Sequence, residues 1–338
     1  MKSRIDLQND LLVNGELNKE YVGVDVTKFI CSYLICIIHI IPFVGGTVLS
    51  DNLNYYIRNG ICRVAVPFFF AATAFLLFQK QESNSSLEND RIKKTCFKLF
   101  RLWGTWEFLS VLGGNHQMWY LGASALTIIL INVLFKCLHN LKWIGLCCII
   151  LYSIGLIGDS YRGLISPVID NLPFKMPSTR NAVFMGLMFA FIGIVITRIK
   201  LKINLKWAAL GLFISILLLY VELFFLKNYS RPFDFNMYIS LVPLTFFLLY
   251  IAVSIKMKDR KNLNFFRKLR VYSVLIYFTH LIFSELFDFI LSRMKTGLGI
   301  DITSFKLIIV LVVVTIVAII IEDLSHRRKL CWIKYLYS

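Results

Sequence analysis

Three residues in the first apolar run, Asp25, Lys28 and His39, are of types that hold charge or move protons; they stand in V-G-V-D-V-T-K-F-I-C-S-Y-L-I-C-I-I-H. Lys28 and His39 lie eleven positions apart. At about 100° per residue this is three helical turns plus roughly 20°, so both project from one helix face, roughly 16 Å apart along the axis. A histidine with a pKa of about 6.5 can take a proton from a hydroxyl at neutral pH. Lys28, one turn from Asp25, can pair with it. The spacing leaves two interpretations open: one wall of a shared reactive cavity, or a snorkelling lysine and a histidine satisfied by a neighbouring helix.

Other polar residues interrupt apolar runs or begin them. Lys98, Arg101 and Glu107 fall in one weakly apolar stretch, and Arg63 and Arg180 precede two strongly apolar ones. Each arginine can stabilise a developing oxyanion or bind an anion, or can anchor a helix end at the interface. Trp119 and Tyr120 open another run, and Asp159 sits in a G-D-S-Y turn where it can orient a sugar or cap the turn. Glu285 and Asp288 are expected to line a cavity or pair helices, and His280 to make an interhelical hydrogen bond. A charge at the centre of a membrane helix costs about 2.5 to 3.5 kcal/mol on insertion scales, which makes such residues functional candidates.

The elements that position these groups follow from composition. Of the 338 residues 57% are hydrophobic and 17% charged, with a mean hydropathy of +0.68. A net charge of +17 is compatible with nucleic-acid binding, but the basic residues cluster between apolar runs and so set membrane topology instead. Runs long enough to cross about 30 Å of hydrocarbon occur near 22–42, 62–79, 96–112, 118–136, 142–158, 180–197, 206–226, 236–255, 271–291 and 304–322. The third, with its charges, is the weakest. Backbone groups in lipid must be satisfied within the segment, so the expected fold is an all-α polytopic bundle of about ten transmembrane helices. With the N-terminus inside, 26 lysines and arginines fall on the cytoplasmic side and 10 outside, with Lys28 within the first span. Both termini are therefore expected in the cytoplasm. The expected organisation is a cytoplasmic segment 1–21, a membrane domain 22–323 and a cytoplasmic tail 324–338, with no cleavable leader because residues 1–20 are polar. The eight cysteines form no C-x-x-C pair and suggest apolar packing rather than a metal site or disulfide framework.

Taken in order, G-V-D-V-T-K-F with ten residues between Lys28 and His39, R-V-A-V-P-F-F-F (63–70), W-Y-L (119–121), G-D-S-Y (158–161), T-R-N-A-V-F-M-G (179–186) and Y-F-T-H (277–280) resemble the acyltransferase-3 family of integral membrane acyltransferases. The resemblance runs from about 21 to 323. Within the family it is similar to the membrane portion of the vancomycin-resistance serine racemases. It implies a multi-pass protein of the bacterial cytoplasmic membrane that moves an acyl group, often acetyl, from acyl-CoA to a hydroxyl of an extracytoplasmic sugar or cell-envelope molecule. Acyl-CoA would be a donor substrate, with no permanently bound cofactor and no metal. His39 would be the general base, assisted by Asp25 and Arg63. Lys28, Lys98 and Arg101 would bind the CoA phosphates, and Arg180, Trp119, Tyr120 and Asp159 would contact the acceptor. Three positions depart from the family pattern: Lys98 stands where the first of two arginines is usual, Thr73-Ala74-Phe75 replaces Ser-Gly-Phe, and Gln117 replaces a histidine. They leave open a changed substrate or reduced activity. The competing class is a membrane transporter of a small solute such as serine, or of a glycolipid; a third is a catalytically silent scaffold.

Overall fold

The computed structural model describes residues 21–43, 46–79, 85–112, 118–164, 178–199, 202–229, 235–255, 263–298 and 303–338. Among these residues there is no β-strand, and helices occupy every one of the ten apolar stretches. They are α1 (Val22–His39), α3 (Ala65–Phe78), α4 (Ser85–Leu112), α5 (Trp119–Leu138), α6 (Leu141–Gly158), α7 (Leu187–Ile199), α8 (Leu205–Tyr229), α9 (Leu241–Ser254), α10 (Leu263–Leu298) and α11 (Lys306–Ser325). A shorter helix, α2 (Val48–Asn59), lies between the first two, and a 3-10 helix (Arg328–Leu336) follows α11. Among the described residues, eight helical segments are long and apolar enough to cross a membrane. The other two stretches are α4, whose charges dilute its hydropathy, and α9, a 14-residue apolar helix. The protein is an all-α polytopic bundle.

Burial separates a central layer from an outer one. The segment containing α3 has 67% of its most apolar window buried, whereas α8 and α11 have only 22% and 17% despite comparable or greater hydropathy. Apolar residues turned outwards, such as Leu217, Leu218, Val221, Phe224 and Phe225 on α8, are what a helix facing lipid requires. The central helices approach closely where side chains are small. A Cβ on Gly193 of α7 would stand 2.1 Å from the Ala71 carbonyl oxygen of α3, and one on Gly23 of α1 would stand 2.2 Å from that of Ala252 on α9. Such contacts let membrane helices gain dispersion energy without a hydrophobic driving force. α1 is held between α10, α3 and α9, so the face bearing Lys28 and His39 is inside the bundle.

Polar groups fasten particular helix pairs. Asp288 of α10 pairs with Lys306 at the start of α11 at 2.6 Å, a helix-pairing role. Glu222 of α8, which the sequence reading passed over, accepts hydrogen bonds from the Ile239 and Ser240 amides at 2.7 and 2.9 Å and from the Ser240 hydroxyl at 2.5 Å. It also accepts the Tyr161 hydroxyl, and burial, together with this bond, raises the Tyr161 phenol above its ordinary pKa. The segment 324–338 is folded rather than extended: Trp106 of α4 donates to the Leu336 carbonyl at 2.8 Å, and Tyr337 meets the Ser325 hydroxyl at 2.7 Å. The charge asymmetry sets the expected orientation of the whole bundle. A reporter fused after Ser338 should read cytoplasmic and one inserted between residues 165 and 177 external; the reverse pattern would invert every assignment of inner and outer ends below.

Candidate functional site

His39 is the last residue of α1, and its position is fixed from two sides. Below it the helix is buried through Cys31, Ser32, Ile35 and Cys36. At its end, Arg58 of α2 reaches across and donates both Nε and Nη2 to the Ile38 carbonyl oxygen, at 2.9 and 2.6 Å. A cation bonded to terminal carbonyls is favoured by the helix dipole and satisfies an orphan acceptor. Arg58 therefore closes α1 and sits beside His39.

A cavity of about 230 Å³ opens against this helix end. Its walls include His39, Arg58, Arg63, Trp119, Tyr120, Arg180, Asn236, Tyr277 and His280, together with Ile35, Ile38, Val66, Pro67 and Met185. Five of the ten residues expected to form the site from sequence are thus absent from its walls, and five are present: His39, Arg63, Trp119, Tyr120 and Arg180. Among the described residues the lining carries three arginines and two histidines and no acidic side chain. A cavity of this charge suits an anionic or strongly polar ligand.

The two expected arginines come from a short 3-10 turn, Ile61–Val64, and from the residue preceding Asn181, which caps a π-helical turn over Ala182–Gly186. They converge on Asn236: Arg63 Nη1 and Arg180 Nε donate to its Oδ1 at 2.8 and 2.9 Å. Arg63 also donates from Nη2 to Asn59 at 3.1 Å. The Asn236 amide cannot turn over, because its Nδ2 donates to Asp159 Oδ2 at 3.1 Å and its backbone N–H to Asp159 Oδ1 at 2.9 Å. Asp159 is fully buried and also accepts the hydroxyls of Ser160, at 3.0 Å, and Thr179. It therefore lies behind the cavity wall, where it orients Asn236 and through it the two arginines. Direct contact between Asp159 and an acceptor, expected from sequence, is not what this placement provides.

The aromatic wall is built on α5 and α10. Tyr120 packs edge-on to Phe70 at 4.9 Å and to Tyr277 at 5.9 Å. Gln117 lies outside the described residues. His280 of α10 is 1% exposed, and its ring lies 5.3 Å from that of His39. Among the described residues its Nδ1 bonds the Tyr277 carbonyl of its own helix and its Nε2 has no partner.

The remaining candidates form a second group at the opposite end of α1. Asp25 is buried and held by Arg270 of α10 in a bidentate pair, at 2.9 and 2.7 Å, which takes the place of the expected pairing with Lys28. Lys28 interacts electrostatically with Asp25, Arg270 and Lys98, and Lys98 in turn with Arg101 and Arg270. Arg101 donates to the Ser338 carbonyl and lies over the Tyr335 ring at 5.4 Å. The four cations Lys28, Lys98, Arg101 and Arg270 share this end of the bundle, whereas the 230 Å³ cavity is at the His39 end. The single shared cavity expected from helical spacing resolves into two polar sites joined by the α1 face.

Sequence reasoning assigns no site role to Arg58, Asn236 or Arg270, nor to Tyr277, which stands in the Y-F-T-H stretch. Arg58 and Arg270 were counted only as topology markers, and Asn236 begins an apolar run at a position like those of Arg63 and Arg180, so the signal for it was present.

Comparison with known proteins finds similarity to an amino-acid racemase of Enterococcus faecalis, 28% identical over 273 residues, covering 73% of this chain and 38% of that protein. A serine/alanine racemase of Enterococcus gallinarum is 28% identical over 261 residues, covering 67% of this chain and 36% of the relative. A second amino-acid racemase of Enterococcus faecalis is 26% identical over 292 residues, 76% of this chain and 40% of the relative. The chain matches well under half the length of these relatives. No family model matches the chain, and no solved structure matches it. The relatives' names are those of enzymes, and they agree with the similarity to serine racemases read from the motifs, whereas no family model shows the acyltransferase-3 family.

Proposed function

We propose that this chain is a membrane O-acyltransferase that moves an acyl group, most simply acetyl, from cytoplasmic acyl-CoA to a hydroxyl of an extracytoplasmic glycan or cell-envelope acceptor. The observation that carries this proposal is His39 in the wall of an arginine-lined cavity, with Lys28 about three turns away on the same helix and Lys98, Arg101 and Arg270 of neighbouring helices grouped around that end. His39 takes the proton of the acceptor hydroxyl, and the oxygen attacks the thioester carbonyl. Arg63 and Arg180, held by Asn236, face the oxyanion of the tetrahedral intermediate, where fixed donors are most effective. The C–S bond then breaks, His39 returns its proton to the thiolate, and CoA leaves as the thiol. Lys28, Lys98 and Arg101 hold the CoA phosphates at the other end, Lys98 as a point charge without the bidentate geometry of arginine. Asp25 fixes Arg270 in this group and so acts away from the reacting atoms.

Arg101→Gln tests the donor site. Loss of a charged hydrogen bond, about 1.5 kcal/mol, should raise the KM for acyl-CoA roughly tenfold at unchanged kcat, measured on membranes matched for protein. An unchanged KM would remove Arg101 from the donor site.

A second interpretation is favoured by the relatives named as serine and amino-acid racemases. An arginine-lined cavity of this size also accommodates the carboxylate of a small amino acid, in a carrier rather than a transferase. Uptake of labelled serine into vesicles that depends on Arg63 and Arg180, with no acyl product from the same protein, would favour the carrier.

A further inference from the structure

We propose that His280 is a positioning residue for His39: its Nε2 accepts the N–H of the His39 ring and thereby leaves the other His39 nitrogen open towards the acceptor hydroxyl. This rests on the acyl-transfer function proposed above. The tautomer of His280 follows from its surroundings. Its Nδ1 lies 2.7 Å from the Tyr277 carbonyl oxygen, which can only accept, so Nδ1 carries the hydrogen and in the neutral ring Nε2 carries the lone pair. That Nε2 is buried and has no hydrogen-bond partner among the described residues. A buried acceptor left unmade costs about 1 to 3 kcal/mol, so the site gains when a donor turns towards it.

His39 is the available donor. The two rings are 5.3 Å apart between centroids with their planes inclined by 43°, and both line the cavity. Nitrogens of these rings turned towards each other would stand about 3 Å apart, which is hydrogen-bond distance. No other acceptor in the lining suits the role. Among the described residues the lining has no carboxylate, Asn236 Oδ1 already receives two arginines, and Asp159 lies behind Asn236. In base–orienter pairs generally, the second group holds the imidazole in the productive tautomer and stabilises the imidazolium without itself being protonated. Here the second imidazole does so, anchored in turn by a helix carbonyl. A metal bridging the two rings is a poorer account, since the charged groups facing His39 are Arg58, Arg63 and Arg180 and the described residues hold no cluster of three metal ligands.

During transfer the acceptor proton goes to the open nitrogen of His39, and the His39 N–H on the His280 side becomes a charge-assisted bond. The same proton then passes to the departing thiolate, so His280 ends unchanged. The test compares His280→Ala, His280→Leu and His280→Gln on membranes matched for inserted protein. Glutamine carries an oxygen close to the place of Nε2; alanine and leucine carry none. The alanine and leucine variants should lose about 10²-fold in kcat at unchanged KM for acyl-CoA, with the acid limb of the pH profile moved, and glutamine should recover most of the rate. Wild-type kcat and pH profile in alanine or leucine would overturn the assignment, as would glutamine no better than leucine. Leucine against glutamine decides the matter if alanine fails to insert. A wild-type protein that forms no acyl product would overturn the transferase function itself, and this assignment with it; a productive wild type indifferent to position 280 would overturn only the latter.

Discussion

Replacing His39 with alanine should lower acyl transfer by about 10² to 10⁴-fold while the protein inserts at normal abundance, and His39→Gln should not restore it. Position 39 is the last residue of α1, beside an open cavity, and no described residue hydrogen-bonds its ring. Removing the side chain therefore breaks no helix cap and, apart from the bond proposed to His280, no hydrogen bond among the described residues. The α1 terminus remains closed by Arg58 on the Ile38 carbonyl, so insertion and folding should survive. Glutamine keeps polarity, length and hydrogen-bonding capacity but cannot hold a proton at neutral pH. It separates a structural histidine, which should tolerate the change, from a proton acceptor, which should not. Transfer assayed per inserted molecule distinguishes the two, and a glutamine variant with most of the wild-type rate would remove His39 as the base.

The second large effect is expected at a residue outside the cavity wall. Asp159→Ala should reduce transfer per inserted molecule by about 10²-fold and also lower the amount of protein in the membrane, with Asp159→Asn intermediate. The carboxylate accepts from the Asn236 backbone and side-chain amides and from the Ser160 and Thr179 hydroxyls. Each buried donor it leaves unsatisfied costs about 1 to 3 kcal/mol, which accounts for the loss of protein. Activity falls further because Asn236 is then free to rotate its amide and withdraw Oδ1 from Arg63 and Arg180. Displacement of paired oxyanion donors typically costs a factor of 10² to 10³. Asparagine keeps the shape and one acceptor but turns an N–H₂ towards a donor. Wild-type activity in the alanine variant would show that the arginines are held by something other than this network.

Helix positions were legible in the sequence because apolar runs of spanning length leave the backbone in lipid only one solution, and every stretch read as a span is helical. The threshold between spanning and short helices was less legible. α4 fails on hydropathy through the charges around Lys98 and Arg101, and α9 fails on length, yet both pack as members of the bundle. Among site residues, those announced by a charge at the start of an apolar run, Arg63 and Arg180, lie where the cavity is. Those inferred from spacing along a single helix fared unevenly, because the 3.6-residue period says that Lys28 and His39 share a face but not that one cavity spans the distance between them. Partners from distant segments were invisible. Arg270 meets Asp25 across 245 residues and Asn236 meets Asp159 across 77, and nothing in local pattern encodes either pairing.

The central claim is that an acyl group is transferred at this cavity, and mass spectrometry of cell-envelope glycans addresses it most directly. Cells carrying the intact gene should show an acyl mass increment, about 42 Da where an acetyl group replaces the hydrogen of the acceptor hydroxyl. Cells lacking the gene, or carrying His39→Gln at matched protein abundance, should not show it. Identical glycan masses in all three, with serine taken up by the wild type alone, would contradict the transferase account and leave the carrier in its place.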